Sequence, residues 1–223
     1  LTANDAIAVG LVVALQFGPA LIFSPMAGAL ADQSDRRRLL MVTQGFAGLS
    51  ALLLGLLVLS GSAELWQVFV FAAITGSVAA FDSPARQTYV SDMVPPKDLP
   101  NAVGLNSTSF NIARLIGPAV AGLAIAAIGT GWVFVVTGLL FSGTVGALML
   151  QRVADLNPVP RPKRTKHMVR DGLAYVRSRS DIVIIMVVVG VTSALGLNFA
   201  ITSAVMATEA FGKEAGEYGI IGS

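Results

Sequence analysis

The sequence has 223 residues, 54% of them hydrophobic and only 13% charged, with a mean hydropathy of +0.74 and a formal net charge of +2. That balance excludes an ordinary soluble domain and places the chain in a lipid bilayer. With no cysteine, disulfides and thiolate metal sites are excluded, and the single histidine, His167, stands in a basic loop without a carboxylate cluster to make it a metal ligand.

A helix needs about 20 apolar residues to cross the roughly 30 Å hydrocarbon layer, and only a helix or a closed barrel satisfies every backbone group there. The first such run covers residues 6–31, after the opening LTAND. The stretch GALADQSDRRRLL, residues 28–40, then leads into a second run over 39–60. Further runs follow at 65–80, 102–128, 132–150 and 182–207, and 218–223 begins another. The runs are continuous rather than alternating, so the fold class is all-α, a polytopic transmembrane helical bundle. The chain is read as a fragment cut at both ends, because it opens with a polar loop lacking an initiator methionine and stops inside an apolar run.

If the spans alternate, loops 32–38, 81–101 and 151–181 share one side, and they hold every lysine and arginine except Arg114 and Lys213. The positive-inside rule makes that side cytoplasmic. The longest of these loops, opened by Pro158, Pro160 and Pro162, divides the chain into residues 1–150, a basic linker at 151–180, and 181–223. Within the linker, Met168, Val169, Leu173 and Val176 share one helical face against Arg170, Asp171, Arg177 and Arg179. Such a helix either lies on the membrane surface or packs on its own protein. Nucleic-acid binding is not needed to explain the basic residues.

Small residues recur at four-residue spacing, as Ala47, Ala51 and Gly55 and as Gly138, Ser142 and Gly146, which predicts close helix packing. GPAL at 18–21 and GPAV at 117–120 fall in spans of opposite direction, the pattern of inverted three-helix repeats. Gly28 and Asp32 share a face at the end of the first span. Gly28 leaves room for a neighbouring helix, and Asp32 is placed to accept from that neighbour's free N-terminal amides. Arg36, Arg37, Asp82 and Arg86 are expected at the same depth, completing one charge cluster. Arg114 lies about 18 Å into its span, near the bilayer middle, where a cation requires a partner or water. Ser107, Asn111, Arg114 and Pro118 fall on one face, a cavity-facing stripe touching substrate or a proton site. The alternative is a structural arginine bonded to carbonyls freed around Gly117 and Pro118. No acid stands mid-span; Asp82 is read near a cytoplasmic end, so the proton carrier is either Asp82 or a residue outside these spans.

GALADQSDRRR resembles the loop between the second and third helices of the major facilitator superfamily, with Gly28, Asp32 and the arginine run in register. Gln33 and Asp35 depart from the broad pattern. The D-x-x-D-R-R-R form is similar to the branch of exporters related to enterobactin and macrolide efflux proteins. FDSPARQTYVSDMVPPKDLPNAVGLNSTSFNIARLIGPAVAG, residues 81–122, resembles the same branch. Its Gly117, Pro118 and Gly122 are similar to the antiporter motif of drug–proton exchangers, with one glycine of the usual adjacent pair missing. The resemblance implies two six-helix halves, of which helices two to seven and the start of the eighth are visible. It also implies that Asp32 latches one half against the other.

The expected protein is therefore a monomeric secondary transporter in the cytoplasmic membrane, exporting small amphipathic molecules of drug, macrolide or siderophore type by alternating access. It uses proton antiport and no cofactor. The rival readings are a metabolite facilitator or importer of the same fold and a non-transporting sensor or scaffold. No nucleophile–base set, metal cluster or phosphate loop points to an enzyme.

Overall fold

In a computed structural model, residues 6–157 and 168–196 are described, and all regular structure among them is helical. The helices are α1 (Ala6–Gln33), α2 (Arg36–Leu59), α3 (Leu65–Met93), α4 (Leu99–Ile128), α5 (Thr130–Leu150), α6 (Met168–Ser178) and α7 (Ser180–Gly196). The first five are each long and apolar enough to cross a membrane. The expected run at 182–207 is helical as far as Gly196. Its remainder, the run at 218–223, His167, Lys213 and the three linker prolines lie outside the described residues.

Two boundaries differ from expectation. The loop placed at 32–38 shrinks to Ser34 and Asp35, because the Asp35 carboxylate accepts from the Arg38 backbone amide at 3.2 Å and starts α2 immediately. The loop placed at 81–101 is mostly helix, since α3 runs on to Met93 and α4 resumes at Leu99. Charged residues ended the apolar run without ending the helix. The segment 151–181 likewise contains a short 3₁₀ turn, α6 and the start of α7. The α4–α5 junction is Gly129 alone, whose φ of +82° permits the abrupt reversal.

Two compact units can be described, each by itself. Among the described residues, the first takes in 6–111 and 124–157, and the second 112–123 and 168–196. In the first, α3 packs on α1 and α2, and α2 packs on α5. Glycines set the closest crossings. A side chain at Gly76 would collide with the Gln16 carbonyl of α1. Carbons added at Gly48 and Gly55 would stand 2.9 Å from Phe141 and Val135 of α5. Gly138, from the predicted small-residue stripe, is equally crowded by Leu52, whereas Gly146 is open. Most large apolar side chains are exposed, as expected of helices whose outer faces meet lipid. In the second unit α6 packs on α7, and Arg179 and Asp181 form a two-bond ion pair at their joint, at 2.6 and 2.9 Å.

Candidate functional site

The polar residues of α2 and α3 come together first at Asp82. It lies in α3, eleven residues before the helix ends at Met93, hence about 16 Å from that end at 1.5 Å per residue. The expected position near a span's cytoplasmic end ended the span at Ala80, whereas the helix continues unbroken to Met93. Its side chain is buried. Thr43 Oγ1 and Gln44 Nε2 of α2 both donate to Oδ1 at 2.7 Å. Arg86, one turn on along α3, donates to Oδ2 from Nε at 3.1 Å and from its terminal nitrogen at 2.5 Å. A carboxylate removed from water in this way is tolerable because all its charge is met by donors, one of them cationic.

Asp82, Arg86 and Gln44 lie on a cavity of about 470 Å³ between α1, α2, α3 and α5, whose walls include Phe71, Phe134 and Phe141. The volume is in the range of sites for small organic ligands, as is a mostly apolar lining with a few convergent polar groups.

A second centre sits at the far end of α3. Buried Arg36 donates to Asp92 Oδ1 at 2.8 Å, and the Asp92 carbonyl accepts from the Asn157 amide at 2.7 Å. Tyr89 donates to Gln151 Oε1 at 2.5 Å. Arg37 donates to the last carbonyls of α5, Leu148 at 2.7 Å and Met149 at 3.1 Å, where a cation meets the negative end of the helix dipole. Leu40, Ala31, Ala85 and Tyr89 close an apolar cluster beside these contacts.

The single cluster expected of Gly28, Asp32, Arg36, Arg37, Asp82 and Arg86 is thus divided. Asp82 and Arg86 form one centre, while Arg36 pairs with Asp92 and Arg37 caps α5. The reason is distance: ten residues separate Asp82 from Asp92, about 15 Å along a helix. Asp32 is half-buried and makes no side-chain hydrogen bond or ion pair among the described residues. At Gly28 an added carbon would meet nothing within 4 Å, so no neighbour among the described residues uses the space it leaves.

The α4 stripe is different again. Ser107, Asn111, Arg114 and Pro118 are exposed, and no residue of α4 is buried. Asn111 returns its amide to the Ser107 carbonyl at 2.9 Å, within its own helix. Arg114 makes no ion pair or side-chain hydrogen bond among the described residues. Gly117 and Gly122 are half-buried.

Thr43, Gln44, Asp92, Tyr89 and Gln151 were not among the predicted site residues. Adjacent Thr43 and Gln44 inside an apolar run were the available signal for the first centre. Among the described residues no group of three or more histidines, cysteines or acids is placed to hold a metal.

The chain matches, over residues 2–222, the family described as transmembrane secretion effector. It is 33% identical over 126 residues to the staphyloferrin A transporter of Staphylococcus aureus, covering 56% of this chain and 32% of that protein. Over 170 residues it is 26% identical to the enterobactin exporter EntS of Shigella flexneri, covering 76% and 40%. To the multidrug efflux pump Tap of Mycobacterium tuberculosis it is 28% identical over 167 residues, covering 71% and 40%. The chain spans less than half the length of each of these relatives.

Proposed function

We propose, from the premise that this chain belongs to the transmembrane secretion effector family of the major facilitator superfamily and is part of a multi-pass cell-membrane protein, that the whole protein exports small amphipathic molecules. The substrates are of siderophore, drug or macrolide type, the classes named for its relatives. Export proceeds by alternating access, driven by proton antiport without a cofactor.

The observation that carries this reading is the Asp82–Arg86 pair inside a membrane-spanning helix, on the wall of an apolar cavity. Ionisable groups are costly within a bilayer, and where they occur they line substrate or ion pathways. The cavity's aromatic and aliphatic walls suit the apolar part of an amphipathic molecule, and its few polar groups suit the rest. On α4, Arg114 with Ser107 and Asn111 presents a second polar surface, which we assign to the substrate or proton path. Asp32 takes the role of gating acid, with a partner outside the described residues.

The test is reconstitution of the full-length protein in vesicles with an imposed pH gradient, following dyes, macrolides and catecholate siderophores. Gradient-dependent efflux of at least one class is expected. Absence of such flux for every class contradicts the proposal, and flux that ignores the gradient contradicts its proton-coupled part.

A further inference from the structure

The hydroxyl of Thr43 lies within hydrogen-bond reach of two acceptors, Asp82 Oδ1 at 2.7 Å and the Leu40 carbonyl of its own helix at 3.1 Å. A hydroxyl has one proton to donate and lone pairs to accept with. It can therefore satisfy only one of these acceptors at a time. The choice depends on the charge of Asp82.

We infer that Asp82 is the proton-binding carboxylate of the transport cycle and that Thr43 is its positioning residue, turning its hydroxyl to hold the acid in both charge states. This rests on the proton-coupled reading above. With Asp82 ionised, Thr43 donates to Oδ1. When a proton from cavity water bonds to Oδ1, the new O–H donates to Thr43 Oγ1, and the Thr43 proton turns to the Leu40 carbonyl. On release the proton returns to water and the two bonds revert. No covalent bond other than that O–H is made or broken, and Thr43 and Asp82 stay hydrogen-bonded to each other throughout.

The surroundings fit a group that changes charge in place. From α2, Thr43 and Gln44 face the carboxyl, and neither is titratable. From α1 and α5, the side chains on the same cavity include Gln16, Phe134, Thr137 and Phe141, and again none is titratable. Arg86, on α3 itself, is the one charged neighbour lining that cavity among the described residues. Its side chain is 56% exposed, against 11% for Asp82. When the acid is neutral, Arg86 retains contact with open space and can still donate to Oδ2, so the cation is not stranded.

Infrared difference spectroscopy of the full-length protein in lipid vesicles, titrated with acid and without substrate, tests the inference. A protonated-carboxyl band should grow in at low pH and be missing from Asp82→Asn. In Thr43→Val the neutral acid loses the hydroxyl that accepts its proton, so the carbonyl stretch of the protonated-carboxyl band should move to higher frequency. Thr43→Ser should restore the original frequency. A band that persists in Asp82→Asn, or a band in Thr43→Val that does not move, overturns the inference. Gradient-driven efflux in the same vesicles separates the two proposals. A wild-type protein that moves no probe contradicts the exporter reading, whereas a fully coupled Asp82→Asn variant contradicts this inference alone.

Discussion

Helices α3 and α4 both carry charge into a membrane span, but they handle it in opposite ways. In α3, Asp82 and Asp92 are buried, and each is tied to α2 by short bonds from Thr43 and Gln44 or from Arg36. In α4, Ser107, Asn111 and Arg114 stand on an exposed face, and the bond from the Asn111 amide to the Ser107 carbonyl stays within the helix. The first arrangement pairs its charges within the bundle and has a chemical reason to persist in the absence of substrate. The second leaves a cation at bilayer depth whose partner is not among the described residues. On the proposed reading, the difference separates polar residues paired within the first unit from those left for a substrate, water or another part of the protein.

Breaking the α3 side should show in stability. Asp82→Ala leaves Thr43, Gln44 and Arg86 facing an apolar wall without their acceptor; because Arg86 is half exposed, the loss should fall near the lower end of the range for a broken buried pair, about 3 kcal/mol. Chemical denaturation in detergent would measure it, and an unchanged midpoint would place Asp82 outside the stabilising contacts. Gly76→Val should cost about 2 kcal/mol, because its side chain must displace the α1 backbone at Gln16. The same assay, with Gly28→Val as the contrasting change of under about 0.5 kcal/mol, checks that only one of the two glycines sits at a helix crossing.

On the α4 side, stability should barely respond while transport does. Arg114→Ala is expected to lower gradient-driven flux more than tenfold, about 1.4 kcal/mol of barrier, with the melting temperature kept within about 2 °C. Normal flux would make Arg114 a structural arginine. A smaller loss than that of Gly76→Val should come from Asp35→Ala, which removes the α2 cap and costs about 1 kcal/mol, read as a modest drop in melting temperature with transport retained.

Much of this architecture is legible in the sequence because a bilayer imposes a simple requirement: a long apolar run must be a helix. The positions of α1, α2, α4 and α5 follow from that alone. The end of α3 does not, because Asp82, Arg86 and Asp92 look like a loop by composition; in the helix α2 supplies partners to Asp82 and Asp92, and Asp82 supplies one to Arg86. The Arg36–Asp92 pair joins residues 56 apart and has no local signature. Asp35 shows the converse. As a departure from a familiar pattern it was an oddity in the sequence, and in the structure it is the cap that shortens the first connection to two residues.

The proposed assignment of the α4 stripe to the substrate or proton path, with its opposite face toward lipid, is open to direct measurement. This chain has no cysteine, so single cysteines placed in a cysteine-free full-length protein report cleanly. Ser107, Asn111 and Arg114 lie on one face of the helix and Leu105, Ile116 and Leu123 on the other; since both faces are exposed in the structure, chemistry rather than burial distinguishes them. With a membrane-impermeant thiol reagent, Ser107→Cys and Asn111→Cys should react in vesicles and be protected by a transported molecule, while Leu105→Cys, Ile116→Cys and Leu123→Cys should not react. Equal labelling of both faces, or labelling confined to the leucine and isoleucine positions, would contradict the account.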